Sequence, residues 1–219
     1  MWAQGTGRMI ETKHRAALAA AGLLALAACA AEVPAPEIDE AAALAASLPV
    51  AQGFQAELQA QLKAAMAAGG PRDAVSVCQQ AAPAIARARS EASGAAVSRI
   101  AARHRNPAGG VPEELRTAYA ALEAAPLKDG KPHRQIVQTG TGEDARVHVL
   151  AAIPMQDQPC SVCHGTNIDA GLKAHIDQLY PGDLATGFTP GALRGALLIS
   201  WDAGRFVKQA RARSAAPAR

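Results

Sequence analysis

The segment CSVCH at residues 160–164 constrains this chain more than any other part of its sequence. The spacing C-x-x-C-H is that of an attachment site for a c-type haem. Two thiols separated by two residues can each bond one vinyl group of a porphyrin, and the next histidine can reach the iron as proximal ligand. Two other interpretations stay open here. One is a zinc site of Cys160 and Cys163 with His164 or His175, and the other is a redox-active or structural pair of the two cysteines.

The amino terminus has the pattern of an export signal. The basic residues 13–15 precede an apolar run over residues 16–28, which has the length of a signal-peptide core and is too short to span a bilayer. The run ends in Leu-Ala-Ala-Cys29, which resembles a bacterial lipobox. We therefore expect a lipoprotein signal peptide over residues 1–28, with Met9 as the true start, and a lipid on Cys29. A plain secretory signal with an incidental cysteine is the alternative.

Export narrows the interpretation of the remaining cysteines. With Cys29 lipidated, the mature chain keeps Cys78, Cys160 and Cys163, and an odd number in an oxidising compartment does not suggest a disulfide framework. Haem attachment accounts for two of the three, and it takes place outside the cytoplasm. The combination favours haem over zinc or a cysteine pair.

The charge of the chain indicates no nucleic-acid partner. The net charge is +3, and loss of the expected signal peptide removes three basic residues and one acidic residue, which leaves +1. A nearly neutral chain has no electrostatic reason to bind nucleic acid or an acidic protein.

Hydrophobic periodicity places helices first and strands later. Helical patterns run from Glu37 to Leu48, where Pro49 is expected to interrupt them, and again up to Gly69-Gly70. Leu193, Leu197, Ile199 and Trp201 alternate in the last strand and are expected to share a face. The fold class is therefore α+β with an antiparallel sheet. Strands are expected at residues 94–103, 133–139, 145–153 and 193–201.

This order differs from that of small all-helical cytochromes c. There the haem segment lies near the amino terminus of the domain and a methionine follows it. In this sequence the segment lies between two strands, and no methionine follows Cys163.

Cys78 lies on the apolar stripe of the helix that Pro71 begins. Val75, Cys78, Ala82 and Ile85 recur at helical spacing, and Pro83 is expected to kink the helix one turn after the cysteine. From this pattern alone, a buried structural thiol is the favoured interpretation of Cys78.

Several ordered blocks together resemble the Tll-type family of c-type haem domains with a PAS-like fold, which are periplasmic sensor-like haem proteins. The blocks are 73–90 (DAVSVCQQAAPAIARARS), Arg105-Asn106-Pro107, 160–165, and 180–198 with its segments YPGD, ATGF and LRGA. The resemblance implies one covalent haem c bound at Cys160 and Cys163, with His164 as proximal iron ligand. It also implies an axial thiolate from Cys78 as distal ligand. Apart from the resemblance, the basic segment around Arg103 and Arg105 has two interpretations: a solvated loop, which is favoured, and basic side chains that pair with the haem propionates.

Other residues are alternative sixth ligands of the iron. They are Met155, His148, His133 and His175, each of which is more often a packing or surface residue. An enzyme is not expected, because a haem peroxidase needs a distal acid or base and only His104 or His148 could serve.

These observations define the expected organisation and function of the chain. Residues 1–28 are the signal peptide, 29–36 a tether, 37–203 the PAS-like haem-binding domain with long N-terminal helices, and 204–219 a flexible basic tail. The expected function is a redox or gas sensor for CO or NO, which reports to an unknown redox or signalling protein. A low-potential periplasmic electron carrier is the alternative. Ala30 after Cys29 favours a lipid anchor in the outer membrane of a Gram-negative bacterium.

Overall fold

A computed structural model of the protein describes residues 35–215, with side chains for residues 35–212. These residues form an α+β fold with one antiparallel four-stranded sheet, which confirms the expected fold class. The expected signal peptide, the expected lipidation site Cys29 and most of the expected tether lie outside the described residues. Within the described part, no helix is both long and apolar enough to cross a membrane.

The first helix, α1 (Glu40–Ser76), is longer than the sequence predicted. The side chain of Asp39 caps it by accepting two backbone N–H groups of the first turn at 2.9 and 3.2 Å. The helix continues across Pro49, where a break was expected. Pro49 lies on the exposed side of the helix. Apolar residues on either side of it, such as Phe54, are buried, and the free energy of that burial outweighs the loss of one backbone hydrogen bond at the proline. The break expected at Gly69-Gly70 is confirmed, because Gly70 has φ 72° and a non-helical conformation.

A π-helical turn over Val77–Ala81 connects α1 to α2 (Ala82–Ser93). The N–H of Ala82 donates to the carbonyl five residues earlier. We expected a kink one turn after Cys78, whereas the structure has a widened turn that contains Cys78. Pro83 has no N–H and its ring would collide with the carbonyl four residues earlier, and a wider turn relieves both problems.

The sheet contains the four strands that the sequence predicted, with shifts at their ends. The strands of the main sheet are β1 (Ala96–Ile100), β4 (Arg134–Thr139), β5 (Arg146–Pro154) and β6 (Leu193–Asp202). Their order in the sheet is β1-β6-β5-β4, and all neighbours are antiparallel. A separate hairpin consists of β2 (Leu127–Lys128) and β3 (Lys131–Pro132).

Helices cover both faces of the sheet. Helices α1 and α2 pack on one face around Phe54, Val149 and Trp201, and the indole N–H of Trp201 donates to the buried hydroxyl of Ser47 at 2.8 Å. Helix α3 (Arg116–Ala124) packs on the other face. The sheet is therefore the central layer of three.

Two expectations about the end of the chain were wrong. Leu193 packs in the cluster on the α3 face and not with Trp201, because the β5–β6 register shifts at Pro154, the residue opposite Leu193. The segment expected to be a flexible tail begins with helix α6 (Ala203–Ala215). Phe206 anchors this helix, since it is buried and its ring centroid lies 5.5 Å from that of Trp201.

Two short helices complete the described chain and lie between β5 and β6. They are α4 (Cys160–His164), which is the C-x-x-C-H segment, and α5 (Ala170–Leu179). The end of α1 packs on both through Val75, which contacts Leu172 and Ile176 in a small apolar cluster. This contact brings Cys78, which is distant in sequence, toward the C-x-x-C-H segment.

Candidate functional site

A loop over residues 183–188 holds α4 by backbone hydrogen bonds. The N–H of Gly187 donates to the Gly165 carbonyl at 2.8 Å, and the N–H of Phe188 donates to the His164 carbonyl at 2.9 Å. Gly187 has φ 72°, a conformation that glycine adopts readily. A Cβ atom on Gly165 would lie 2.5 Å from the carbonyl oxygen of Ser161. Glycines are therefore required at both contacts.

The same loop fixes the protonation of His164. Its Nδ1 lies 2.7 Å from the carbonyl oxygen of Ala185, and since a carbonyl only accepts, Nδ1 carries the proton. Burial, and then the positive charges of Arg194 and Arg105, hold the pKa of His164 well below its ordinary value. The ring is therefore neutral at pH 7 with an unprotonated Nε2. This is the state that a metal-ligating histidine needs, with its second nitrogen held by a carbonyl.

A buried ion pair fixes the loop to α4. Arg105 and Asp183 lie 3.1 Å apart, and 7% and 0% of their side chains are exposed. Arg105 also donates to the Cys163 carbonyl at 2.7 Å and to the Ala185 carbonyl at 3.4 Å. Asp183 accepts the N–H of Ala185 at 2.8 Å. Arg105 therefore positions the C-x-x-C-H segment, and the solvated loop that was the favoured interpretation of residues 103–107 is wrong for this side chain.

Two cavities meet beside His164. The cysteine cavity, of about 260 Å³, is lined by Cys160, Cys163 and Met155. The arginine cavity, of about 470 Å³, is lined by His104 and Tyr180. Both cavities are lined by the same five residues, which therefore lie where they meet: Cys78, Arg99, Arg105, His164 and Arg194.

Cys78 reaches this junction from the π-helical turn. Burial raises the pKa of the Cys163 thiol, Arg105 lowers it, and the Cys78 and Cys160 thiols raise it further. Cys78 likewise contributes to the raised pKa of Tyr180, although burial is the larger cause. π-Helical turns are frequent at functional sites. Cys78 and His164 thus line one space from two segments that are far apart in sequence.

The family of the chain follows from a comparison with known families. The model of the Tll0287-like family matches residues 30–201. The chain belongs to the Tll0287-like family. A solved structure titled as that of the cyanobacterial heme-protein Tll0287 is 28% identical in sequence. The match covers 57% of this chain and 71% of that chain, with a TM-score of 0.43. No curated protein matches the sequence.

The structure of this Tll0287-like chain separates the predicted ligands into two groups. Cys160, Cys163, His164, Cys78 and Met155 line the two cavities. The other histidines that we considered as sixth ligands, His148, His133 and His175, do not line either cavity.

His148 has a structural environment. Its Nε2 lies 2.8 Å from the hydroxyl of Thr139 and its Nδ1 lies 2.8 Å from the hydroxyl of Ser200, so both ring nitrogens have partners. His133 is similarly held, because its Nδ1 donates to the carbonyl of Ala125 at 2.8 Å. These histidines stabilise the sheet and its adjoining hairpin.

The zinc site and the disulfide that we considered are not formed. Among residues 35–212, no three His, Cys, Asp or Glu side chains converge as ligands of a metal ion. The described cysteines, Cys78, Cys160 and Cys163, all carry free thiols.

Residues that sequence reasoning did not assign surround the junction. Asp183 and Ala185 lie within the sequence blocks that resemble the family, but their contacts with Arg105 and His164 depend on the fold. Arg194 is also in such a block, and it is 8% exposed. The signal that could have indicated Arg194 is its position, since it is a charged residue near the start of an apolar strand pattern.

Proposed function

We propose that this chain binds one c-type haem covalently through Cys160 and Cys163, with His164 as the proximal iron ligand. One observation carries the proposal: the Ala185 carbonyl fixes the proton of His164 on Nδ1, so that Nε2 is free at the junction of the cavities. Membership of a family that includes a relative described as a heme-protein supports it. A planar porphyrin is also the kind of ligand that two adjoining, mainly apolar cavities suit.

The residues present fit such a group. The two thiols lie on one turn of α4, and Arg194 has a buried Nε that finds no acceptor among the described side chains. A bound haem would supply a redox-active iron able to bind a small gas. The chain contributes two thiols for attachment, the neutral imidazole of His164 and the guanidinium groups that line the cavities.

We propose Cys78 as the second axial ligand. It lines both cavities together with His164, and it lies in a π-helical turn whose geometry differs from that of a regular helix. A thiolate is held by the positive charge of oxidised iron and less well by reduced iron. Cys78 is therefore the residue whose contact would change with oxidation state. Met155, buried in the cysteine cavity, is the rival ligand.

A redox or gas sensor is the function that this arrangement favours. Movement of Cys78 would move the π-helical turn and the end of α1, which packs on α4 and α5. Such a movement could be read by a protein partner. With the export signal expected from the sequence, we place this sensor in the periplasm as a lipoprotein.

A low-potential electron carrier is the second candidate. The observation that favours it is the partial exposure of Cys160 and Cys163, which brings the attachment end near the surface. A carrier keeps both ligands in both oxidation states, whereas a sensor exchanges one.

The haem is tested by producing the protein together with a c-type maturation system. We expect a pyridine haemochrome band and a mass gain of one haem. The double variant Cys160→Ala/Cys163→Ala should lose the mass gain, while the Met155→Ala variant should keep it. A colourless wild-type protein without a mass gain would refute the proposal.

A redox titration with and without CO separates the two functions. For a sensor, CO binds on reduction and the visible and EPR spectra change in Cys78→Ala but not in Met155→Ala. A reversible potential with no CO binding favours the carrier. Spectra that are unchanged by Cys78→Ala would exclude Cys78 as a ligand.

A further inference from the structure

The junction of the two cavities carries an excess of positive charge. Arg99, Arg105 and Arg194 line both cavities. Within the described part of the chain, the carboxylate that forms an ion pair with this group is Asp183, which pairs with Arg105. Three guanidinium groups and one carboxylate leave two positive charges without a carboxylate partner in the described part of the chain, although Arg194 donates to the carbonyl of Arg103 at 3.4 Å. Buried charges in proteins are normally paired, because an unpaired buried charge costs free energy.

Buried donors at the junction also lack acceptors. The Nε–H groups of Arg105 and Arg194 have no acceptor among the described residues. Both residues are buried, since Arg105 is 6% exposed and Arg194 is 8% exposed. The Nδ1 of His104, which lines the arginine cavity, is also buried without a partner in the described chain. Burial, and then repulsion by Arg99 and Arg105, lower the pKa of Arg194 to about 9, so it is still charged at pH 7.

We infer that the arginine cavity is a carboxylate-binding site in which Arg194, with Arg99 and Arg105, binds the two propionate groups of the haem. The inference rests on the proposed haem and adds to it. Guanidinium groups bind carboxylates through charge-assisted hydrogen bonds. Two propionates match the two unpaired positive charges.

The positions of the two cavities favour the haem as the source of these carboxylates. Cys160 and Cys163, which bond the vinyl groups, line the cysteine cavity and not the arginine cavity. The propionates of a porphyrin project from the part of the ring away from the thioether bonds. A ring attached in the cysteine cavity, with its iron beside His164, therefore directs its propionates toward the arginine cavity. Arg87 and Glu91 lie at the exposed rim of the arginine cavity. Their opposite charges cancel, so the excess of positive charge at the junction is unchanged.

The test measures the propionates of the haem-loaded protein directly. The haem is labelled with ¹³C at its propionate carboxyls, and the infrared carboxylate bands and the Raman propionate bending band are recorded. The variants are Arg194→Gln and the conservative Arg194→Lys. The matched control is Arg134→Gln, because Arg134 also has a buried Nε without an acceptor in the described chain but lines neither cavity.

We expect both sets of bands to shift in Arg194→Gln, to shift less in Arg194→Lys and to stay in place in Arg134→Gln. The reduction potential of Arg194→Gln should fall, since loss of a cation favours the oxidised iron. If Arg194→Gln does not fold, Arg99→Gln on the edge strand β1 should shift the bands in the same direction. Arg99 is half-buried, and edge positions tolerate substitution more readily.

Haem content is measured first in each sample. Missing haem in the wild type contradicts the proposed function, whereas shifted bands in a fully loaded variant report on the propionates alone. Unchanged bands in fully loaded Arg194→Gln or Arg99→Gln would overturn the inference.

A free anion is the other candidate occupant of the arginine cavity. Acetate is therefore added to the haem-loaded wild type and to Arg194→Gln. If acetate stabilises only the wild type and the propionate bands do not respond to the substitution, the cavity binds a free carboxylate. The assignment of the site to the haem propionates is then wrong.

Discussion

Replacement of Asp183 by asparagine tests whether the buried ion pair with Arg105 stabilises the site. The change is well matched to the question. Asparagine keeps the Oδ1 atom that accepts the N–H of Ala185 at 2.8 Å, so the local turn is preserved. The Oδ2 atom that faces Arg105 becomes an NH2 group, so the ion pair loses both its negative charge and its acceptor.

The expected loss follows from the burial of the pair. The two side chains are 7% and 0% exposed and lie 3.1 Å apart, and removal of one partner leaves Arg105 as a buried charge. Breaking a buried pair costs about 3–5 kcal/mol. Because Arg105 keeps its hydrogen bond to the Cys163 carbonyl at 2.7 Å, we expect the lower end, about 3 kcal/mol. For a chain of this size that is a fall of about 6–12 °C in Tm.

Urea unfolding and thermal melting of haem-loaded and haem-free protein provide the measurement. The matched control is Asp177→Asn, which breaks the exposed ion pair with Lys173, whose side chains are 39% and 48% exposed. An exposed pair contributes less than about 1 kcal/mol. If propionates also neutralise Arg105, the loss in Asp183→Asn is larger in the haem-free protein. Equal losses for Asp183→Asn and Asp177→Asn would show that burial of the pair has no energetic consequence.

Three further substitutions test other parts of the structure. Burial lowers the pKa of His148, so the unfolded chain binds the proton at a higher pH than the folded chain does. The free energy of unfolding should therefore decrease as pH falls below about 6.5. His148→Gln should flatten this pH dependence, as measured by urea unfolding. Ser47→Ala leaves the buried indole N–H of Trp201 without its acceptor and should cost about 1–3 kcal/mol by urea unfolding. Gly165→Ala places a Cβ 2.5 Å from a backbone oxygen and should lower the haemochrome yield, whereas Gly182→Ala, whose Cβ meets nothing within 4 Å, should not.

Features set by local pattern could be predicted from the sequence. The alternation of Val147 and Val149 predicted β5, and both are buried on the face covered by α1 and α2. Gly70 interrupts the regular helical conformation of α1 at the expected place, since its φ of 72° is one that other residues rarely adopt. The spacing of Cys160, Cys163 and His164 gave the candidate site without any knowledge of the fold.

Features that depend on tertiary contacts could not be predicted. Pro49 is a helix breaker by local rules, but packing on both sides keeps α1 continuous. The expected tail is basic and polar by composition, yet Phe206 reaches Trp201 and orders a helix. The basic segment around Arg105 was expected to be a solvated loop, with pairing to haem propionates as the alternative, whereas Arg105 is buried. Its ion pair with Asp183 joins residues that are far apart in sequence, and no local pattern contains it.

The two candidate axial ligands differ in how firmly the fold holds them, and this difference favours a sensor over a carrier. The carbonyl of Ala185 fixes the His164 ring, and a buried ion pair and backbone hydrogen bonds hold the surrounding loop. Cys78 lies instead in a π-helical turn between α1 and α2, where the hydrogen-bond pattern is already irregular. If the proposed haem is bound, a change at its iron should therefore displace Cys78 before His164. Because Val75, one turn earlier in α1, packs against α5, that displacement would pass to α5, and movement of a second element is what a partner-dependent switch requires.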